Sequence, residues 1–229
     1  MEKVIEKLER ETTPLTSSVE RDEFITASET AFDCKFDGVS TFHPWKMPTK
    51  LPTKFKLGVI VGSSGSGKST LLKQFGQEQN PIWEPDKSIV SHFKSPDEAI
   101  NKLGSVGLNS VPSWYKPYSV LSNGEKFRAD LARKIKSNVV IDEFTSVVDR
   151  AVAKAASVSL SRYIKNNDLE NVVLSTCHRD ILEWLEPDWV LDTDTGELLD
   201  GFFLPDQKSK LTYIAQTMIV GECLKTIII

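Results

Sequence analysis

Short apolar runs recur through the chain, and each has the length of a buried β-strand. They occupy residues 56–61, 87–93, 138–141, 171–175, 189–192 and 195–198. Segments with helical signals separate most of these runs, and an alternation of buried strands and helices is typical of an α/β fold with a mainly parallel central sheet. The last two runs are joined by a short turn and predict a final strand–turn–strand.

The predicted helices begin at polar residues that can cap them. Ser95 is followed by Pro96 and two acids, which is the composition of a helix N-terminus. Ser122 opens a helix that runs to Arg133, and a longer helix is predicted over 150–165.

The N-terminal region departs from this alternation. Val4, Ile5 and Leu8 lie among charged residues and predict a short amphipathic helix. Within 23–36 apolar and polar residues partly alternate, which predicts the strands of an antiparallel edge.

We therefore divide the chain into three parts. Residues 1–20 form an N-terminal helix or tail, 21–201 form one α/β domain with a reduced helical segment at about 94–136, and 202–229 form an apolar C-terminal extension. An exposed apolar tail promotes association, so packing of the extension on the domain is favoured over a role in binding a partner.

Composition is that of an ordinary globular protein. The chain has 229 residues, 40% of them hydrophobic and 26% charged, and its net charge of −4 argues against a strongly basic nucleic-acid coat. Its three cysteines are isolated and lack metal-type spacing, as expected in a reducing compartment. No apolar run reaches the roughly 18 residues of a membrane-spanning helix, and the charged N-terminus has no signal-peptide core. We expect a soluble, cytoplasmic protein.

The most informative stretch follows the run at 56–61 and is called the phosphate loop below. It consists of Gly62, Ser63, Ser64, Gly65, Ser66, Gly67, Lys68, Ser69 and Thr70. Small residues let backbone N–H groups surround a phosphate chain, and the following helix directs its positive end at the same anion. Lys68 would reach the β- and γ-phosphates of a nucleotide, and the Ser69 hydroxyl would take one position on Mg²⁺. A glycine- and serine-rich surface turn is the alternative, but the strand before and the helix after favour nucleotide binding.

Two further stretches place polar groups at predicted element ends. Ser122, Asn123 and Gly124 open a helix whose N–H groups form a second anion site, although an ordinary capped helix has the same composition. Asp142 and Glu143 end the run at 138–141. Asp142 suits a role on Mg²⁺, and Glu143 suits a general base that polarises the attacking water.

Three other residues complete the candidate set. His178 follows the run at 171–175, where open parallel sheets bind ligands. Asp149 precedes the long helix. Trp45, like Phe42, lies upstream of the phosphate loop and could stack on adenine, although packing in the core is at least as compatible with either ring.

In this order the motifs resemble those of the ABC-type ATPases. The segment GSSGSGKST (62–70) is similar to their Walker A loop, LSNGEK (121–126) to their signature loop, VVIDEF (139–144) to their Walker B strand with its catalytic glutamate, SVVD (146–149) to their D-loop, and STCH (175–178) to the strand before their switch histidine. The resemblance covers about 56–199, and five motifs in the correct order are far more specific than any one of them.

The resemblance implies an ATP-sandwich homodimer. In one subunit the phosphate loop and Asp142 would hold ATP and Mg²⁺, Glu143 would activate water, and His178 would hydrogen-bond the γ-phosphate region. Ser122 and Gly124 of the other subunit would cap the same γ-phosphate. Two ATP molecules would then join two subunits, and hydrolysis would let them part.

The chain also departs from transporter subunits of that family. His92 stands where a glutamine is expected, and a buried structural role for it is favoured over a sensing role. The helical segment is short, which leaves little surface for a transmembrane subunit, and Phe144 replaces a common proline. The signature is nearer the LSGGEK form of SMC-like and DNA-repair ABC ATPases, and the chain also resembles stand-alone phage and prokaryotic ABC ATPases.

Three functions are compatible with these features, in decreasing order of support. The first is an ABC-type ATPase that couples hydrolysis to a nucleic-acid-associated or protein partner, with a membrane partner disfavoured. The second is the ATPase subunit of an ABC transporter. The third is a P-loop kinase acting on a small molecule, which needs neither a signature loop nor the pair of Asp142 and Glu143.

Overall fold

Strands and helices alternate along residues 4–201, the part of the chain that the computed structural model describes. The strands are β1 (Val4–Lys7), β2 (Leu15–Ser18), β3 (Val39–Phe42), β4 (Leu57–Val61), β5 (Val139–Ile141), β6 (Val172–Thr176), β7 (Trp189–Asp192) and β8 (Glu197–Asp200). The α-helices are α1 (Glu23–Phe32), α2 (Lys68–Leu72), α3 (Pro96–Ser105), α4 (Val111–Trp114), α5 (Asn123–Lys134), α6 (Arg150–Asn166) and α7 (Leu182–Leu185). Short 3₁₀ segments cover Ile89–His92, Tyr118–Val120 and Arg179–Ile181.

Six strands form the main sheet in the order β1-β8-β7-β4-β6-β5. Strands β7, β4, β6 and β5 are mutually parallel, whereas β8 pairs antiparallel with β7 and β1 pairs antiparallel with β8. This arrangement confirms the predicted α/β class, with a mainly parallel sheet and an antiparallel edge. Strands β2 and β3 pair with each other in a separate two-stranded sheet.

The central sheet is covered on both faces, because successive residues of a strand point to opposite sides. On β4, Val59 belongs to the hydrophobic cluster that also contains residues of α3, α5 and α6, and Ile60 belongs to the cluster on the other face. On β6, Leu174 and Val173 divide in the same way. Burial on both faces explains why these strands are mostly apolar and why their sequences were recognisable.

Two N-terminal predictions are wrong. The helix predicted around Val4, Ile5 and Leu8 is replaced by strand β1, because β8 supplies a ladder partner nearly two hundred residues away that the local sequence does not show. The strands predicted within 23–36 are replaced by helix α1, which Asp22 caps by accepting a 2.9 Å hydrogen bond from the backbone N–H of Ile25. The alternation that suggested strands is not a buried face, since α1 has no buried residue.

The strand predicted at 87–93 is also wrong, because the 3₁₀ segment Ile89–His92 occupies that position. Between α2 and β5, all of which the structure describes, there is no strand. The remaining predicted elements are confirmed: helices begin after Ser95, Ser122 and Asp149, and the final strand–turn–strand is β7 and β8.

The segment at about 94–136 contains α3, α4 and α5. The proposed division at 20 and 201 stays a prediction, and the extension at 202–229 lies outside the described residues. Within 4–201, no helix combines the length and the apolar character needed to cross a membrane.

Candidate functional site

Four neighbouring parallel strands end at one edge of the sheet, and polar residues follow each of them. The phosphate loop follows β4, Asp142 and Glu143 follow β5, and His178 lies two residues beyond β6. Strand β7 ends at Asp192. The carboxyl edge of such a sheet is where α/β proteins bind ligands. The sheet thus gathers the loop, the carboxylate pair and the histidine at one edge.

The phosphate loop is shaped by two glycines that no other residue could replace without strain. Gly62 has a φ of +154°, and a Cβ atom there would lie 2.1 Å from the Thr193 hydroxyl oxygen. Gly67 has a φ of +98°, caps α2, and a Cβ atom there would lie 2.6 Å from the Phe42 ring. The loop therefore keeps the narrow curve in which backbone N–H groups can face an anion.

Lys68 places a cation on this loop. Its ammonium nitrogen donates a 2.6 Å hydrogen bond to the carbonyl oxygen of Ser63. Ser63, Ser64 and Ser69 are exposed, so both the loop and the first turn of α2 are open to a ligand. A nucleotide triphosphate fits this combination of a cation, free N–H groups and a helix N-terminus.

The carboxylate pair is fixed by β6 and by an unusual backbone. The Ser175 hydroxyl donates to the Asp142 carboxylate, and the backbone N–H of Glu143 donates to the same oxygen at 3.0 Å. Glu143 has a φ of +50° and its side chain is exposed at the end of β5. A non-glycine residue in the left-handed region is strained, and such residues cluster at functional sites.

Phe144 ties the carboxylate segment to its neighbours through both its backbone and its ring. Its backbone N–H donates a 2.8 Å hydrogen bond to the carbonyl oxygen of Ser175, a bond that proline could not make. Its ring is 1% exposed and packs 5.7 Å from the ring of Phe127 on α5. Phe144 therefore links the carboxylate segment to β6 and to α5.

His178 is held next to the carboxylate segment by Thr145. Its Nδ1 atom lies 3.1 Å from the Thr145 hydroxyl oxygen. Burial lowers the pKa of His178 below its ordinary value, and the positive charge of Arg150 lowers this pKa further. The imidazole is therefore neutral near pH 7.

Residues 121–126, called the signature segment below, include a capping box at the start of α5. The backbone N–H and the hydroxyl of Ser122 each donate to one carboxylate oxygen of Glu125 at 2.8 Å. Asn123 is exposed, and a Cβ atom on Gly124 would come no closer than 3.8 Å to the Val152 side chain. The predicted contact of Ser122 and Gly124 with a nucleotide on another subunit stays a prediction.

A cavity of about 610 Å³ joins the signature segment to the carboxylate pair. Asn123 and Lys126 line one part of it, and Asp142, Glu143 and Ser146 line another. None of its lining residues belongs to the phosphate loop, among the residues that the structure describes. The start of α5 thus borders the carboxylate pair of its own subunit.

The predicted magnesium ligands are one hydroxyl, Ser69, and one carboxylate, Asp142. Within 4–201, no three His, Cys, Asp or Glu side chains form a metal-binding cluster. A sparse set of oxygen ligands suits Mg²⁺, which keeps water molecules and takes phosphate oxygens into its shell.

Trp45 is buried, which supports packing over adenine stacking for this ring. It is 8% exposed, its indole N–H donates to the carbonyl oxygen of Ser66 at 3.1 Å, and the Arg10 guanidinium lies 3.6 Å from the ring centroid. An adenine could stack on that face only in place of Arg10. Phe42 contacts the loop at Gly67.

Asp149 and His92, which the sequence also singled out, make hydrogen bonds within the fold. Asp149 caps α6 by accepting a 2.9 Å hydrogen bond from the N–H of Val152. His92 uses both ring nitrogens, one with the N–H of Glu84 and one with the carbonyl oxygen of Ser88, each at 2.9 Å. These bonds support the structural role that was favoured for His92.

The turn between β7 and β8, which no sequence pattern indicated as part of the site, lies against the phosphate loop. The Thr193 hydroxyl oxygen is 2.6 Å from the Ser66 hydroxyl oxygen. The Asp194 carboxylate accepts hydrogen bonds from the N–H of Ser63 at 2.9 and 3.0 Å and from its hydroxyl at 2.7 Å. The one available signal was the position of these residues at the carboxyl end of a strand that could neighbour β4.

Comparison with known proteins gives only distant similarities. No protein-family model and no curated protein matches the chain. Among solved structures, a dimeric structure of MJ0796, a bacterial ABC transporter cassette, is 13% identical, with 81% of this chain and 93% of that chain covered and a TM-score of 0.49. A dimeric, post-hydrolysis state of the same ATP-binding cassette bound to ADP and Pi is 12% identical, with 85% and 94% covered and a TM-score of 0.49. Similarity at this level does not identify the family of the chain.

Proposed function

We propose that this protein is an ABC-type ATPase. It binds ATP with Mg²⁺, hydrolyses ATP to ADP and phosphate in a sandwich homodimer, and couples this cycle to a nucleic-acid-associated or protein partner in the cytoplasm. The observation that carries the proposal is the convergence, at one edge of the sheet, of the phosphate loop, the carboxylate pair and His178, in the order that the ABC resemblance implies.

The geometry supports a division of labour among these groups. Lys68 and the loop N–H groups bind the β- and γ-phosphates, and the hydroxyl of Ser69 and the carboxylate of Asp142 are the protein ligands for Mg²⁺. The metal, when bound, neutralises charge on the phosphate oxygens. The exposed carboxylate of Glu143 accepts a proton from the attacking water, and His178 donates a hydrogen bond to the γ-phosphate.

The position of the signature segment is compatible with the proposed homodimer. The start of α5 borders the cavity of its own carboxylates, whereas no residue of its own phosphate loop lines that cavity. We infer that its N–H groups and the exposed Asn123 meet a γ-phosphate presented by another subunit. Each of two composite sites would take its phosphate loop from one subunit and its signature from the other.

Replacing Glu143 by glutamine tests the proposed reaction. The amide keeps the size of the carboxylate and loses its basicity, so turnover should fall by about 10²–10⁴-fold while the Kd of MgATP changes by less than about twofold. Glu170→Gln, which alters an exposed glutamate away from the sheet edge, is the matched control. Parental turnover in Glu143→Gln would contradict the assignment of the base.

A transporter subunit is the second candidate, since it would use the same nucleotide chemistry with a membrane partner. Glu143→Gln protein incubated with ATP and used as bait in the host separates the two, because it should retain the closed dimer and whatever the dimer contacts. Recovery of an integral membrane protein would favour the transporter. A kinase would instead transfer phosphate to a small molecule as a monomer.

A further inference from the structure

The β7–β8 turn contacts the phosphate loop at two points, and charged side chains hold this contact in place. Thr193 reaches Ser66, and its hydroxyl also donates to the carbonyl oxygen of Val61 at 2.9 Å. The Asp194 carboxylate accepts hydrogen bonds from the backbone N–H and the hydroxyl of Ser63. The carbonyl oxygen of Ser63 in turn accepts the Lys68 ammonium, so one peptide segment connects Asp194 to the cation that binds phosphate.

Arg179 is the cation that holds this turn in place. One of its terminal nitrogens donates to Asp192, and the other donates to Asp192 and to Asp194, each at 2.8 Å. Asp192 is 4% exposed, and its carboxylate also accepts the N–H of Asp194 at 2.9 Å. A fork of this kind, shared by two carboxylates, fixes both side chains more strictly than a lysine could.

The negative charge in this turn explains why Arg179 is needed beside the phosphate loop. Burial by itself would raise the pKa of Asp194, but the hydrogen bonds from Ser63 and the charge of Arg179 outweigh it and hold this pKa below its usual value. The carboxylates of Asp192 and Asp194 thus lie next to each other in the turn that contacts a loop shaped for an anion. Without a neighbouring cation they would repel a triphosphate at short range.

We propose that Arg179 is a positioning residue for nucleotide binding, which acts by holding Asp194 on Ser63 and by offsetting the two carboxylate charges beside the phosphate loop. The proposal rests on the proposed function, since it assumes that the loop binds a nucleotide. Arg179 directly follows His178, so the segment that bears the histidine is anchored to the phosphate loop through the β7–β8 turn.

The test measures the Kd of MgATP and of MgADP by calorimetry, together with kcat and KM, for a set of variants. Arg179→Gln should weaken binding of both nucleotides by about 10- to 100-fold, the range for a lost charge-assisted contact, with kcat at saturation within about threefold of the parent. Arg179→Lys keeps one charge but cannot form the fork, and should weaken binding by about three- to tenfold.

The decisive variant is the double substitution Arg179→Gln with Asp194→Asn. The asparagine can still accept from the Ser63 N–H but carries no charge, so the pair should bind MgATP about tenfold more tightly than Arg179→Gln alone. Lys165→Gln breaks the Lys165–Glu186 ion pair, which lies away from the loop, and should bind with parental affinity. Arg179→Lys carries the same test if the glutamine variant does not fold.

Parental affinity in Arg179→Gln or Arg179→Lys would overturn the proposal, and so would a double variant that binds no more tightly than Arg179→Gln. The second result would show that Arg179 serves folding alone, because purely structural losses accumulate instead of offsetting one another. If the parental protein itself does not bind MgATP, the proposed function fails and the role of Arg179 fails with it. If the parent binds and the variants match it, only the role of Arg179 is lost.

Discussion

Thr145 is strained and yet buried, which marks it as a residue selected for its hydroxyl group. Its φ is +69°, a region that β-branched residues rarely occupy, and it is fully buried. The hydroxyl oxygen lies 2.6 Å from the carbonyl oxygen of Phe144 and 3.1 Å from Nδ1 of His178. The contact with Nδ1 fixes the orientation of the ring, and a hydroxyl that donates to Nδ1 leaves the imidazole N–H on Nε2.

Thr145→Val should lower kcat by about tenfold, the effect of one lost orienting hydrogen bond, and leave the Kd of MgATP within about twofold. Valine is β-branched and meets the same backbone strain, so the pair differs only in the hydroxyl. Thr145→Ser is the matched control, because it keeps the hydroxyl and should retain kcat within about threefold. Equal losses in both variants, measured by steady-state hydrolysis at saturating ATP, would indicate a packing role instead.

At the scale of elements, Glu125 joins two helices as well as capping one. Its carboxylate accepts hydrogen bonds from the Ser113 hydroxyl on α4 at 2.6 Å and from the N–H and hydroxyl of Ser122 at 2.8 Å. The bond from Ser113, followed by those from Ser122, lowers the pKa of Glu125 from 4.5 to about 2. The signature segment is therefore held in place by a carboxylate that must be ionised.

The folded-state pKa of Glu125 lies below its unfolded value, so the stability that this carboxylate contributes is complete above a pH of about 4.5 and is lost as the pH falls towards about 2. Glu125→Gln should lower the free energy of unfolding by about 1 kcal/mol near pH 7, because the neutral amide offers one acceptor oxygen in place of two charged ones. The difference from the parent should shrink near pH 3. Urea unfolding at both pH values measures it, with Glu170→Gln as control, and a difference that is independent of pH would contradict this account.

The elements that were predictable from the sequence are those whose signal is local. Strands β4, β5, β6 and β7 are buried at every position and mostly apolar, and the helices after Ser95 and Ser122 have caps within the first turn. Strand β1 was missed because it depends on a distant ladder partner. Helix α1 has a local cap in Asp22, but it was missed because it has no apolar face: none of its residues is buried, and Phe24 and Phe32 are 73% and 80% exposed.

At the scale of the whole molecule, the candidate site divides along the same line. Residues of the phosphate loop and the carboxylate pair were recognisable, because motif spacing lies within one segment of chain. The contact between Asp194 and the phosphate loop was not recognisable, because Ser63 and Asp194 are 131 residues apart in sequence and meet only through the pairing of β4 with β7. Such contacts depend on the order of strands in the sheet, which no local pattern specifies.

The central claim is that two subunits share each nucleotide, and Gly124 allows a test that leaves the helix intact. A side chain fits at this position, since the nearest atom to an added Cβ is 3.8 Å away. An acid in the first turn stabilises a helix, but it would place a negative charge where the partner's γ-phosphate is expected. Gly124→Asp should therefore fold and bind ATP yet prevent association, whereas the neutral Gly124→Asn has nearly the same shape and serves as the control.

The most direct measurement is the molar mass in solution, by light scattering during gel filtration, of Glu143→Gln protein with and without MgATP. We predict a monomer without nucleotide and a dimer with MgATP. The double variant Glu143→Gln with Gly124→Asn should also dimerise with MgATP. The double variant Glu143→Gln with Gly124→Asp should stay monomeric, although it binds MgATP with the affinity of Glu143→Gln alone. A Glu143→Gln protein that stays monomeric with bound ATP, or a Gly124→Asp variant that still dimerises on ATP, would contradict it.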